Sequence, residues 1–229
     1  MFRDLIMIRL KVMGIKVDMR MIMKTNAFRD SRHNVLRLAC ALMIATFTIT
    51  GCGKSTDVTK SESTAVYVGK DGKVIHTIVE DFSAGYYDLG ELKTEIETEV
   101  NEYNSTKGQD LISLQDTVKE DTNVRVTMTY KNTASYADFN KVTLFYGTYS
   151  DMKAAGYSLP NTLVDSKGEK IDVSSVSEDT MIIVMDEKIG LFTSAKIAYA
   201  PAGSVWNGSK NVDLSATNDD LCYIVLKAN

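Results

Sequence analysis

The sequence predicts an α+β fold: mainly antiparallel sheets of about ten strands, with one long amphipathic helix and one or two short helices. Three observations lead there. Short apolar runs bounded by turn residues recur through the second half of the chain and before it, from Ala65 to Lys227. Asp-Gly and similar turn steps separate several of these runs, as in antiparallel hairpins. Only Leu89 to Tyr103 sustains apolar residues at spacings of three and four.

The elements follow in chain order. Ala65–Val68 and Val74–Val79 flank Lys70-Asp71-Gly72-Lys73 and predict a hairpin. Asp88 with Glu91 three positions on reads as a helix N-cap and its capping-box partner. Leu89, Leu92, Ile96, Val100 and Tyr103 then form one face, and Glu91, Glu95, Glu99 and Glu102 form a face expected to be solvated. Strands are predicted over Leu111–Val118 and Val124–Tyr130, the latter with Val124, Val126, Met128 and Tyr130 in strict alternation. A short helix over Ser135–Asn140 precedes a strand over Val142–Phe145. A second short helix covers Ser150–Ala155, with Gly156 placed as its C-terminal cap. Strands over Thr162–Val164 and Lys170–Val173 flank a turn, Asp165-Ser166-Lys167-Gly168. Met181–Met185, five apolar residues without alternation, predicts a buried central strand; Ala195–Ala200, Val212–Leu214 and Leu221–Lys227 complete the set.

Charge divides the chain. Residues 1–52 carry nine Lys+Arg against three Asp+Glu, whereas residues 53–229 carry 17 against 27. A basic leader therefore precedes an acidic domain whose one arginine is Arg125. Such a domain lacks the footprint for a phosphate backbone, and nucleic acid is not expected as a partner. In the leader, Arg29, Arg32 and Arg37 precede the uncharged stretch Leu38–Gly51. A basic start, a short apolar body and small residues at the end are the layout of a secretory signal. Fourteen uncharged residues fall short of the ~20 that span a bilayer as a helix.

Ile49, Thr50 and Gly51 before Cys52 resemble the lipobox of bacterial lipoproteins. That resemblance implies a diacylglycerol on the Cys52 sulfur and cleavage on its amino side. Two or more acyl chains anchor a protein stably where one does not. Isoleucine at position 49 departs from the leucine that the family commonly carries there. A signal counted from Met1 would be overlong, whereas one counted from Met23 has ordinary length. Six of the eleven methionines lie within residues 1–23, so translation is expected to start near Met23 with residues 1–22 as upstream sequence. Residues 23–51 are then the signal, residues 52–64 the lipidated cysteine and a flexible tether, and residues 65–229 a single domain.

Few residues suggest chemistry. Gly53-Lys54-Ser55 mimics the end of a phosphate-binding loop, but Thr48 stands where that motif needs glycine. His76 is the only histidine after the leader and lies inside a predicted strand. Cys222, the only cysteine after Cys52, lies in an apolar strand and is expected as a buried thiol. No cofactor or metal is expected, and no residue stands out as catalytic. Tyr86, Tyr87, Tyr149 and Trp206 at predicted loops and edges are the candidate ligand contacts, since exposed aromatics stack on sugars or anchor partners.

The Val-Tyr-Val-Gly-Lys-Asp-Gly-Lys-Val hairpin followed by Glu-Leu-Lys on an acidic helix is similar to uncharacterised lipoproteins of clostridia-type bacteria. Two function classes stay open. One is a membrane-anchored, extracytoplasmic, non-enzymatic module that binds an envelope protein, glycan or small ligand. The alternative is an envelope hydrolase that uses paired carboxylates.

Overall fold

Hydrophobic alternation in this chain is satisfied by two stacked sheets. The computed structural model describes residues 57–227. Strands β1 (Ala65–Val68), β2 (Val74–Asp81), β3 (Ile112–Glu120), β4 (Asn123–Tyr130), β7 (Gly190–Thr193), β9 (Val205–Trp206) and β10 (Asn211–Asp213) form the larger sheet. Their order is β3-β4-β2-β1-β7-β10-β9. The smaller sheet has the order β5-β6-β11-β8, from β5 (Leu144–Thr148), β6 (Met181–Met185), β11 (Cys222–Leu226) and β8 (Ile197–Tyr199). All pairings are antiparallel except β1 with β7. The α+β class is therefore correct.

The main core lies between the sheets. Val66, Val74, Val126, Met128 and Tyr130 of the larger sheet pack with Ile183, Met185, Cys222 and Ile224 of the smaller one. Helix α1 (Leu89–Lys107) joins them through Leu92, Ile96 and Val100. Asp88 caps α1 by accepting the Glu91 N–H at 2.8 Å, and Gly108 ends it at φ +65°. Helix α2 (Thr133–Asn140) begins in a capping box between Asn132 and Ser135. Asp138 of α2 straps the two helices together, accepting from the Tyr103 hydroxyl at 3.0 Å and the Lys107 ammonium at 2.8 Å.

A second core fills the other face of the smaller sheet. Ile182, Val184 and Val225 meet Met152 of α3 (Tyr149–Ala154), Leu163 and Ile171 there. Residues 181–185 read as an unbroken apolar run because both faces of β6 are covered. Cys222 is wholly buried, as expected, and burial raises its thiol pKa while Thr217 Oγ1 lies 3.4 Å from the sulfur. The domain from Asp57 onward, whose one cysteine is Cys222, should leave it unmodified by an aromatic disulfide reagent and release one thiol equivalent in denaturant. Rapid native labelling would contradict its place in the core.

Four expectations need correction. Residues 57–64 are not a free tether. Val58 is 3% exposed in a 3-10 turn, Val58–Lys60, and packs with Ala65 and Phe192 on the outer face of the larger sheet. One apolar residue suffices because that face offers an apolar seat. Lys170–Val173 is not a strand either: Lys170 makes one bridge to Val164, and Asp172 turns the chain by capping a 3-10 turn over Val173–Ser175. Thr162–Val164 likewise contributes only isolated bridges at Val164, one of them to Ala200. Finally, Glu99 is not solvated; it is 8% exposed beside the α1 apolar face. Cys52 and the lipobox lie outside the described residues.

Candidate functional site

The four aromatics do not converge. Tyr86 is exposed and Tyr87 half-buried, in the loop between β2 and α1, with ring centroids 5.0 Å apart. Tyr87 stacks on buried Phe82 at 4.9 Å, which fixes the pair on the domain. Tyr149 is half-buried on α3 and carries the Lys153 ammonium 4.6 Å from its ring centre. Trp206 is half-buried on β9, at the edge of the larger sheet, and packs against the main core. Only Tyr86 and Tyr87 of the four thus form a shared surface. The open grooves of about 370, 470 and 510 Å³ along β3 are lined by a mixture of charged, polar and aliphatic residues, Ile112 and Val118 among them, and by none of these aromatics.

A cluster of buried polar groups forms elsewhere, from residues of different elements. His76 on β2 is 5% exposed, and neither ring nitrogen has a hydrogen-bond partner. Its ring meets Tyr136 of α2 edge to face at 5.2 Å. Tyr136 in turn meets Tyr130 of β4 at 4.9 Å, both wholly buried. Asn140, one helical turn beyond Tyr136, donates to the Tyr136 carbonyl at 2.9 Å and buries its own Oδ1 without a partner. The Tyr136 hydroxyl donates to Glu187 Oε2 at 2.7 Å. Glu187 stands in the loop between β6 and β7, half-buried at the rim of the cluster.

Electrostatics separate these groups. Burial lowers the His76 pKa to about 3, so its ring is neutral throughout the neutral range. Burial and the neighbouring Asp186 raise Glu187 to about 7 against the opposing Tyr136 bond. Tyr136 is held well above its ordinary value, chiefly by burial, and therefore stays a donor. Glu187 can thus gain or lose a proton near neutrality, the behaviour of an acid–base group. Its neighbour is already engaged. The Asp186 carboxylate accepts the Thr143 N–H at 3.0 Å and ties the β6–β7 loop to the start of β5. No group of three or more His, Cys, Asp or Glu able to hold a metal occurs among the described residues.

Sequence reading gave none of Tyr130, Tyr136, Asn140 or Glu187 a functional role. The only local signal was an acidic pair, Asp186-Glu187, directly after an apolar strand. Their meeting depends on how α2 packs over the sheet, which no spacing encodes.

A raised Glu187 pKa has a measurable consequence. The folded state holds a proton that the unfolded carboxyl releases near 4.5, so this contribution is complete below that pH and is lost as pH rises to about 7. Glu187→Gln should therefore gain stability relative to the natural protein across that window, by up to ~1.4 kcal/mol per pH unit. Urea unfolding at several pH values measures it. A constant difference would place the Glu187 titration elsewhere.

No family model, curated protein or solved structure matches the chain.

Proposed function

We propose that the chain is an exported lipoprotein, anchored by lipid on Cys52 to the extracytoplasmic face of the cell membrane, and that its folded domain is a non-enzymatic binding module. The observation that carries the address is Leu38–Gly51, an uncharged stretch behind three arginines that ends at Ile49-Thr50-Gly51-Cys52. The described residues contain no helix long and apolar enough to cross a membrane.

Tyr86 and Tyr87 support the binding role. Two adjacent rings, one exposed and one braced on Phe82, make an amphipathic platform with little side-chain entropy left to lose. Such a platform suits a glycan or a protein partner of the envelope. The soluble domain from Asp57 onward, immobilised and exposed to solubilised envelope and to cell-wall glycan fragments, should retain a discrete ligand. Tyr86→Ala with Tyr87→Ala should weaken retention at least tenfold, as for an interface anchor. Undiminished retention by the double variant would contradict the platform.

One observation favours the alternative hydrolase, the near-neutral titration of Glu187. Against it, Asp186 spends its carboxylate on the Thr143 amide. Hydrolysis of glycan fragments that Glu187→Gln abolishes would establish the alternative.

A further inference from the structure

We infer that residues 57–64 are an orientation clamp that holds the outer face of the larger sheet toward the bilayer; the inference rests on the anchor at Cys52 proposed above. Three contacts fix the segment. Val58 is buried against Ala65 and Phe192. The Arg125 guanidinium donates to the carbonyls of Ser61 and Thr59 and bonds Glu120 at 2.7 Å on its other side. The Thr64 hydroxyl accepts the Val79 N–H at 3.1 Å and lies 3.2 Å from the Val79 carbonyl.

Docking shortens the leash. From Cys52 to Val58 the chain makes six Cα steps and reaches at most ~20 Å. Were the segment free as far as Ala65, thirteen steps would reach ~45 Å. The layer containing Leu163 and Ile171 lies beyond both sheets, and at ~10 Å per layer it is ~30 Å from Val58. A ~20 Å leash rooted on the outer face cannot bring that far layer to the membrane, whereas a ~45 Å leash can.

The placement of the acidic helix agrees with this pose. Helix α1, with Glu91, Glu97 and Glu102 exposed or half-exposed, packs on the core side of the larger sheet, away from Val58. An anionic leaflet repels that helix, and the clamp keeps the sheet between them. The face turned to the lipid presents Tyr67, Ile75, Val79 and Thr129, and on it Lys60 and Arg125 stand beside Asp116 and Glu120, the latter ion-paired with Arg125, so the clamp and not the charge of this face sets the pose.

The test uses the full chain, expressed with its leader, purified in its lipidated form and reconstituted into vesicles of phosphatidylcholine and phosphatidylglycerol that carry a headgroup quencher. Lys60→Cys and Lys167→Cys, both exposed, each receive a fluorophore while Cys222 stays buried. The label at position 60 should be quenched several-fold more than that at 167. A flexible Gly/Ser insertion of about twelve residues after Gly53 should abolish the difference without touching the fold, and Val58→Asp should do so by undocking the turn. Equal quenching in a protein that floats with the vesicles overturns the clamp and leaves the anchor intact. Failure to float overturns both.

Discussion

His76→Leu is expected to make the domain more stable, by about 1–3 kcal/mol at pH 7, because two buried ring nitrogens without partners leave the core. The gain should widen in acid. An unfolded histidine takes up a proton below about 6.5, whereas the buried ring resists protonation down to about 3. The natural protein therefore has the full stability contribution of this group above the unfolded value and loses it as pH falls through that window. At ~1.4 kcal/mol per pH unit, the leucine variant should lead by roughly 4–6 kcal/mol near pH 4. Denaturant unfolding at pH 7, 5.5 and 4 measures this. A variant less stable at every pH would mean that His76 is held by bonds that its geometry does not provide.

A destabilising group in a core has consequences for function. Buried polar residues that break the packing rules concentrate at working sites. His76, Asn140 and Glu187 form such a group around Tyr136. His76 and Glu187 also oppose one another. Between about pH 4.5 and 6.5 the unfolded chain binds one more proton at His76 and one fewer at Glu187, so their slopes cancel. Stability from this pair is flat there and falls on both sides.

The local elements were legible where the chain carries local signals. Asp88 and Gly156 mark helix ends, and the strict alternation of Val124, Val126, Met128 and Tyr130 marks β4. Gly190–Thr193 and Val205–Trp206 were not legible, since four and two residues are too few to display a period. The parallel pairing of β1 with β7 joins segments far apart in sequence, and no turn residue announces it. Val58 looked isolated because its partners, Ala65 and Phe192, are assembled only by that pairing. The buried cluster escaped for the same reason. Its members come from β2, β4, α2 and the β6–β7 loop, and each taken alone resembles an ordinary strand or helix residue.

Loss of the anchor should displace the whole protein from the membrane. A thioether-linked diacylglycerol on Cys52 would hold the mature chain stably. Cys52→Ala removes the acceptor sulfur while leaving every residue of the folded domain unchanged. Cells growing in labelled palmitate measure the outcome, with membrane and soluble fractions probed for the chain. The natural protein should be labelled and sediment with membranes, whereas Cys52→Ala should carry no label and leave the membrane fraction or accumulate as uncleaved precursor. A Cys52→Ala protein that still incorporates palmitate and stays with the membrane would contradict the anchor at Cys52.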